Sequence, residues 1–539
     1  MQHSARTTPG ASGLAPPARL PTAAKRMLLD RLGPGERPRD ADPATVAAAL
    51  PEGRLPIRSR VSADPADRLA HAAGESLPDW IARRAGRPVI VPDAIAHPND
   101  PDEVRSLLAY AAANGAAVIP RGGGTSVVGG VTPTDTGRPV LVLDLLGLSG
   151  IRAFDPRSGL ATFGAGTTGP AIEAELGPRG WMLGHLPQSW ARATLGGWVA
   201  ARSVGQQSLG FGRIEALFAG GRVEAPAGTL VLPPHPASAA GPDLRQLVLG
   251  SEGRFGVITE ATVRAVPLPE EERVPALFLP DWEAGLSAVR TLVQARLPLA
   301  MVRLSGSLET SALLARGGRP AVSAALAAYF RLRGLPASPC LVLLAFAGRR
   351  RVVNVAEAEA RAMLASYGAV RGPGAIGRAW AASREGAFDL RAALWTHGYA
   401  VDTLETAADW SRLPTLADAV IGALRGGLAK IDERVVAFGH LSHVYGSGSS
   451  LYLTYVYRTA ADPDETLRRW RVLKTAASRA IVAGGGTISH QHGVGTDHLP
   501  YLEAETGSLG LDVLDAVSRT LDPDGIMNPG VLIPPRPRP

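Results

Sequence analysis

Pro120-Arg121-Gly122-Gly123-Gly124-Thr125-Ser126-Val127, followed by Gly129-Gly130, sits directly behind an apolar run at 117–119. Three adjacent glycines without side chains let backbone N–H groups close on an anion, and Thr125 and Ser126 add hydroxyl donors. The stretch lacks the Gly-x-x-x-x-Gly-Lys-Ser/Thr pattern, which excludes a Walker triphosphate loop. Alone, it reads equally well as a tight turn. Two more stretches of the same kind follow. One is Thr194-Leu195-Gly196-Gly197-Trp198-Val199-Ala200-Ala201-Arg202, and Gly205, Gly210 and Gly212 continue its pattern. The other is Gly250-Ser251-Glu252-Gly253-Arg254-Phe255-Gly256-Val257-Ile258-Thr259. Glycine clusters recurring at strand ends within one region predict an extended ligand threaded across it.

The flanking sequence is α+β. A short strand is expected at 88–91. Asp100 then caps a helix with Pro101 at its first position and Glu103 completing a capping box. Val104, Leu107, Leu108, Ala111 and Ala112 share one face, and Gly115 ends the helix before the 117–119 strand. Residues 140–145 read as another strand, and 151–154 and 160–163 as a hairpin around Asp155-Pro156-Arg157-Ser158-Gly159. Residues 1–25 carry no periodicity and read as a disordered tail.

Composition narrows the options. The chain has 539 residues, 45% hydrophobic and 19% charged, with a formal net charge of +7. At roughly 100–200 residues per domain, it holds two to four domains. One cysteine, Cys340, excludes a disulfide framework and a Cys-rich metal site. The only lysines are Lys25, Lys430 and Lys474, so the positive charge is arginine. It is scattered and not interleaved with aromatics, which argues against a nucleic-acid surface. Scattered guanidinium groups suit anionic small molecules. No apolar run approaches the roughly 20 residues of a membrane-spanning helix.

From about Pro269 the pattern changes. Helical stretches at 282–295, 353–367 and 463–483 alternate with strands at 301–304, 341–346, 435–438 and 451–456. This predicts an antiparallel sheet with helices on one face. Ser489-His490-Gln491-His492-Gly493-Val494-Gly495 offers two imidazoles at i, i+2, a spacing open to metal ligation, proton transfer or phosphate binding. With no Cys and no third ligand nearby in sequence, no metal is expected. His440 and His443, in Gly439-His440-Leu441-Ser442-His443, are open to the same roles, the bland alternative being surface or core histidines. In Leu451-Tyr452-Leu453-Thr454-Tyr455-Val456-Tyr457, Tyr452 takes the opposite strand face from Tyr455 and Tyr457.

Together, the stretches at 120–127, 194–202 and 250–259 resemble the PCMH-type FAD-binding domain of the vanillyl-alcohol oxidase superfamily. The resemblance implies two α+β subdomains binding FAD, plus a cap domain. It places the pyrophosphate on Pro120, Arg121, Gly122, Gly123, Gly124, Thr125 and Ser126. Pro187, Gln188, Ser189, Thr194, Gly196, Gly197, Trp198, Ala201, Arg202, Glu252, Gly256, Val257 and Ile258 would line the isoalloxazine and adenine. Many covalent members carry a His where this chain has Thr125, and Cys340 lies in no attachment motif, so FAD is expected to be non-covalent. The implied divisions are 26–83 (helical), 84–268 (FAD domain), 269–520 (cap) and 521–539 (return to the FAD domain).

Further stretches narrow the resemblance to the alkyldihydroxyacetonephosphate synthases, which make the ether bond of ether lipids. They are His185 with Pro187-Gln188-Ser189, Val302-Arg303-Leu304, Leu390-Arg391, Leu404-Glu405-Thr406 with Trp410, Ser442-His443-Val444-Tyr445, Tyr452 and 489–495. The family chemistry exchanges the acyl chain of acyl-dihydroxyacetone phosphate for a fatty alcohol through a flavin N5 adduct. The resemblance implies catalytic roles for Tyr452, His490, His492, His185, Arg303 and Arg391, with Tyr452 as the acid/base group and the arginines on phosphate. A base role would require the phenol pKa to fall. It also implies a homodimer with a lipid phosphate substrate and a fatty alcohol; a cytoplasmic location with transient contact to the membrane that holds the lipid is the default expectation. Two departures stand out: Gln491 replaces the middle of three family histidines, and Gln188 replaces an expected acid. The alternative is an FAD-dependent oxidoreductase acting on a 2-hydroxy acid such as D-lactate or glycolate. Its Gly-His-x-Gly-Asp-Gly-Asn motif is reduced here to Gly439-His440-Leu441-Ser442-His443, without the Asp and Asn.

Overall fold

The computed structural model describes residues 20–87, 90–316, 320–383 and 390–534. The first residues of the expected tail, 1–19, and Pro88 and Val89 of the expected 88–91 strand lie outside these. The tail reading overreaches at its end, where a helix at Thr22–Leu32 buries Leu28 and Leu32.

The first sheet has β1 (Val61–Ser62), β2 (Ala94–Ala96), β3 (Ala117–Arg121) and β4 (Val140–Asp144), in the order β1-β2-β4-β3. Regular pairing begins at Ala94, three residues beyond the expected strand. The Asp93 carboxylate takes the Val140 N–H at 2.7 Å, so a side chain fills the place of a ladder carbonyl. The Pro101–Ala113 helix is capped by Asp100, whose carboxylate accepts the Glu103 N–H at 2.8 Å. It carries the chain over β4, so that β2 and β3 both lie parallel to it.

The second sheet contains β5 (Ile151–Asp155), β6 (Leu160–Gly164), β8 (Phe218–Ala225), β9 (Gly228–Leu232) and β10 (Val257–Arg264), all antiparallel, in the order β5-β6-β10-β8-β9. A small ribbon pairs β7 (Trp181–Met182) with β11 (Val266–Pro267). These two sheets with their helices are the two α+β subdomains of the FAD-binding domain.

The third sheet has eight antiparallel strands: β12 (Glu271–Arg273), β13 (Ala276–Leu279), β14 (Met301–Ser305), β15 (Cys340–Gly348), β16 (Val370–Arg371), β17 (Tyr399–Asp409), β18 (Val435–Leu441) and β19 (Gly448–Arg458). Their order is β16-β13-β15-β14-β18-β19-β17, with β12 also on β15. Period-two alternation sorts β19. Leu451, Leu453, Tyr455 and Tyr457 join the large core beneath the helices Trp282–Gln294, Arg350–Ala365, Leu413–Gly426 and Pro463–Ala483.

Helices on one face alone is a prediction that fails. The opposite face is also covered at both ends. At one end Met301, Leu341 and Leu343 pack on Phe330; at the other, Tyr399, Val401 and Val456 pack on Leu28 and Leu394. Between these apolar ends, the outer face turns polar. After Leu521 the chain returns to the first sheet, where the Val118 N–H donates to Ile526 O and the Asn528 N–H to Val118 O, both at 2.8 Å. No helix among the described residues is long and apolar enough to cross a membrane.

Candidate active site

Strand register builds the polar patch. Ser305 on β14 pairs with His440 on β18, His440 with Tyr452 on β19, and Tyr452 with Glu405 on β17. Directly opposed residues of an antiparallel pair project from the same face. Four side chains scattered over 148 positions of sequence thus stand in one row. The His440 ring stacks on Tyr452, with centroids 4.9 Å apart and planes 14° from parallel. Arg303, on the same face of β14, donates from Nη2 to Glu309 Oε1 at 2.8 Å and to His440 Nδ1 at 3.2 Å. The same Nδ1 lies 3.1 Å from Glu309 Oε1, so Arg303 and His440 converge on one carboxylate oxygen. His440 Nε2 and Arg303 Nε are buried without partners. Burial would raise Glu309, but His440 and Arg303 outweigh it and hold its carboxyl well below the usual range.

The row continues beyond the sheet. β17 is an edge strand, and the segment after the Pro463–Ala483 helix pairs along it. The Thr487 N–H donates to Ala407 O at 3.0 Å and the His490 N–H to Glu405 O at 3.1 Å. This sets His490 Nδ1 3.2 Å from Glu405 Oε1, while Nε2 meets the Tyr445 hydroxyl at 2.7 Å. Ser442 Oγ donates to Glu405 Oε1 at 2.6 Å and Gln491 Nε2 donates to Oε2. His443 Nε2 lies 3.9 Å from the same Oε1. Burial alone would raise Glu405, but the imidazoles of His490, His443 and His492 reverse the effect, holding its carboxyl well below the usual range.

Tyr452 carries a neutral phenol, since burial pushes it up to about 12. The fall that a base role would require is not found: desolvation, with Glu405 and Asp402, outweighs the lowering by Thr403 and Arg303. Its hydroxyl donates to Gln188 Oε1 at 3.4 Å, and the His492 ring meets it edge-on at 6.0 Å. Burial also lowers the pKa of His492. Tyr452, His440, Arg303, Ser442, His443, Gln491, Gln188 and Gln206 line one cavity with Val204, Met301 and Trp380. A separate surface cavity of ≈ 520 Å³ beside Arg31, Arg425 and Arg434 holds none of these groups.

The glycine stretches close the other side. A Cβ on Gly122 would lie 2.2 Å from Thr194 Oγ1, and one on Gly123 1.9 Å from the Arg192 carbonyl. Bare backbone therefore lets the 120–126 loop press against the turn that opens the Leu195–Ala201 helix. Gly124 adopts φ +64°, the left-handed region. Behind the loop, Arg121 Nε is buried without a partner, as is Trp198 Nε1. A side-chain-free cradle backed by a part-satisfied guanidinium fits a pyrophosphate-bearing cofactor such as FAD. Pro120 packs where a Cβ on Gly253 would lie 3.0 Å from its ring, and Ser126 Oγ accepts the Gly130 N–H at 2.9 Å. Thr125 and Ser189 lie on the loops that carry this cradle, and Gly196 approaches Ala165 closely. Arg202 bonds Gln246 at 3.3 Å, and Val257 and Ile258 pair with Glu224 and Val223 at the start of β10, just after Gly256 at φ +127°.

Glu252 joins the two halves. It accepts the Val494 and Gly495 N–H groups at 2.6 and 2.8 Å, seating the histidine loop against the FAD domain. Burial pushes this carboxyl up to about 7.

Of the predicted catalytic residues, Tyr452 and Arg303 line this cavity; His490 and His492 stand next to its lining residues, and His185 and Arg391 lie apart. His185 lies behind Pro187, edge-on to Trp198 at 4.8 Å, with Nε2 on Ser203 Oγ at 2.7 Å; burial pushes it down to about 3. It is a neutral packing imidazole. Arg391 donates to the Glu75 carbonyl at 2.6 Å and faces the Asp402 carboxylate at 3.5 Å, tying the Leu390–Trp395 helix to the first domain. Sequence reasoning did not single out Glu405, Glu309, His440 or His443 as site residues, although Glu405 and His443 lie in stretches quoted for the resemblance. Donor atoms of Glu405, His443 and His490 also fall within 4.8 Å of one another, close enough to share a cation.

Comparison with known proteins places this geometry. An FAD binding domain profile matches residues 92–232 and the C-terminal domain profile of FAD linked oxidases matches 268–532. The fold and site therefore define a two-domain flavoprotein binding FAD. An alkyldihydroxyacetonephosphate synthase of Trypanosoma brucei brucei is 31% identical over 88% of this chain and 79% of its own length. A solved alkyldihydroxyacetonephosphate synthase structure superposes with a TM-score of 0.76 at 25% identity, covering 96% of this chain and 92% of that one. Glycolate oxidase subunit GlcD of Bacillus subtilis is 28% identical over 82% of this chain and 88% of its own. The chain belongs to the alkyldihydroxyacetonephosphate synthase family.

Proposed function

We propose that this protein exchanges the acyl chain of acyl-dihydroxyacetone phosphate for a fatty alcohol, the reaction of an alkyldihydroxyacetonephosphate synthase. The observation that carries this reading is the cavity wall itself. A neutral phenol, neutral imidazoles and an arginine stand in register opposite Gln188, which the FAD domain contributes.

In this reading the 120–126 loop and Arg121 hold the FAD pyrophosphate, with Thr194–Arg202 and the 250–258 turn along the rest of the cofactor. When bound, FAD supplies the ring against which the substrate carbon changes its oxygen substituent without net oxidation. The chain's own groups do the remainder. Arg303 Nε and His440 Nε2 are buried nitrogens without partners, placed to meet a phosphate group. Tyr452, protonated at neutral pH, donates a hydrogen bond to the departing carboxylate oxygen. His492, neutral through burial, accepts the proton of the entering alcohol. Glu405 orients His490 beside it. We further propose a homodimer, in line with the family resemblance, that touches the membrane holding its lipid substrate.

The test is to load the purified protein with FAD and supply acyl-dihydroxyacetone phosphate and hexadecanol. Exchange predicts alkyl product and free fatty acid while the flavin stays oxidised. Flavin bleaching by D-lactate or glycolate, with no alkyl product, would favour the oxidoreductase instead.

A further inference from the structure

His443 is buried in the cavity wall, and the mechanism above gives it no task. The family resemblance implies an imidazole at position 491, where this chain has Gln491. Gln cannot carry charge or relay a proton. Yet the carboxylate that Gln491 serves is not short of imidazoles. Gln491 donates to Glu405 Oε2, and His443 stands at the other oxygen, 3.9 Å from Oε1.

The geometry holds His443 there. The Ser450 N–H donates to the His443 carbonyl at 2.7 Å and the His443 N–H donates to Ser450 Oγ at 3.1 Å, so its backbone is fixed from both sides. Ser208 Oγ lies 3.4 Å from Nδ1, which leaves Nε2 turned to Glu405. The ring stacks on His490, with centroids 5.2 Å apart and planes at 26°. Burial, the dominant influence, pushes its pKa down to about 3, so the ring is neutral.

We propose that His443 is a positioning residue that supplies, from the turn between β18 and β19, the imidazole this chain lacks at position 491. Acting through Glu405, it holds His490 in its working orientation. The inference rests on the exchange reading above.

Three variants test it: H443Q, Q491H and the H443Q/Q491H pair. Each is measured for bound flavin absorbance, unfolding free energy and exchange with hexadecanol. H443Q is expected to keep FAD and its KM but lose about 10²-fold in kcat. Q491H added to H443Q is expected to restore at least about tenfold of that loss. The stability changes of the singles should not add in the double, since both act on one carboxylate. Wild-type kcat in H443Q, a double no better than H443Q, or additive stabilities would overturn the proposal. So would a stoichiometric divalent metal in the wild-type protein that H443Q loses, which would make these side chains ligands. If the wild-type protein performs no exchange, the exchange reading fails instead. The stability cycle then still decides whether His443 and Gln491 are coupled through Glu405.

Discussion

Two glutamates hold opposite ends of the 490–495 segment, and their surroundings push them in opposite directions. Glu252 has only the amides of Val494 and Gly495 for company, and burial pushes it up to about 7. Glu405 meets the same desolvation, but three imidazoles hold it well below the usual range. Backbone amides suffice to hold a loop in place, whereas Glu405 is also met by the Ser442 hydroxyl, the Gln491 amide and the nearby imidazoles. The first carboxyl ties the 494–495 turn to the FAD domain, and the second gathers Ser442, Gln491 and His490.

The largest expected effect breaks this contrast at its charged end. E405Q removes the anion that orients His490, and exchange turnover should fall by about 10²–10⁴-fold with the flavin still bound. Next in size is Tyr452→Phe, which removes the proton of a phenol at about 12. Its turnover should drop by about 10²-fold, and full turnover in this variant would remove Tyr452 from the mechanism. The third concerns the other glutamate. A carboxyl whose folded pKa is raised stabilises the fold below its unfolded pKa and loses that contribution as pH climbs through the folded value. Between pH 4.5 and about 7 Glu252 should cost about 3 kcal/mol of stability. E252Q should flatten that slope in urea titrations across the same window, while E405Q leaves it in place. The smallest effect sharpens the cofactor side. In Gly123→Ala the new methyl falls 1.9 Å from the Arg192 carbonyl. An overpacking cost of about 1–3 kcal/mol is expected, read as weakened FAD retention on a desalting column.

Much of this was legible in the sequence because it is local. The Pro463–Ala483 helix, the 151–164 hairpin and the glycine loops each declare themselves through periodicity or turn chemistry within a dozen residues. The face of Tyr452 followed from strand alternation, and Tyr455 and Tyr457 pack on the helix side as that alternation requires. Glu405 as a site residue was not legible. It lies inside a run of strand residues, and its partners come from the 442–443 and 490–491 segments, joined by a register that no local pattern encodes. Arg303 and Arg391 look alike in sequence, yet one faces His440 and the other holds a helix to Glu75. Cover on the outer sheet face was missed for a similar reason. The Thr22–Leu32 and Leu390–Trp395 helices that supply it are 358 residues apart in the chain, and only the fold brings them together.

The central claim is that the protein swaps a substituent on a dihydroxyacetone phosphate carbon with groups held in register on one sheet. Incubating the FAD-loaded protein with acyl-dihydroxyacetone phosphate and radiolabelled hexadecanol tests it most directly. The account predicts label appearing in alkyl-dihydroxyacetone phosphate in step with fatty acid release, with the oxidised flavin spectrum unchanged and the signal lost in Tyr452→Phe. Label remaining wholly in free alcohol, at saturating substrate and full flavin occupancy, would contradict it.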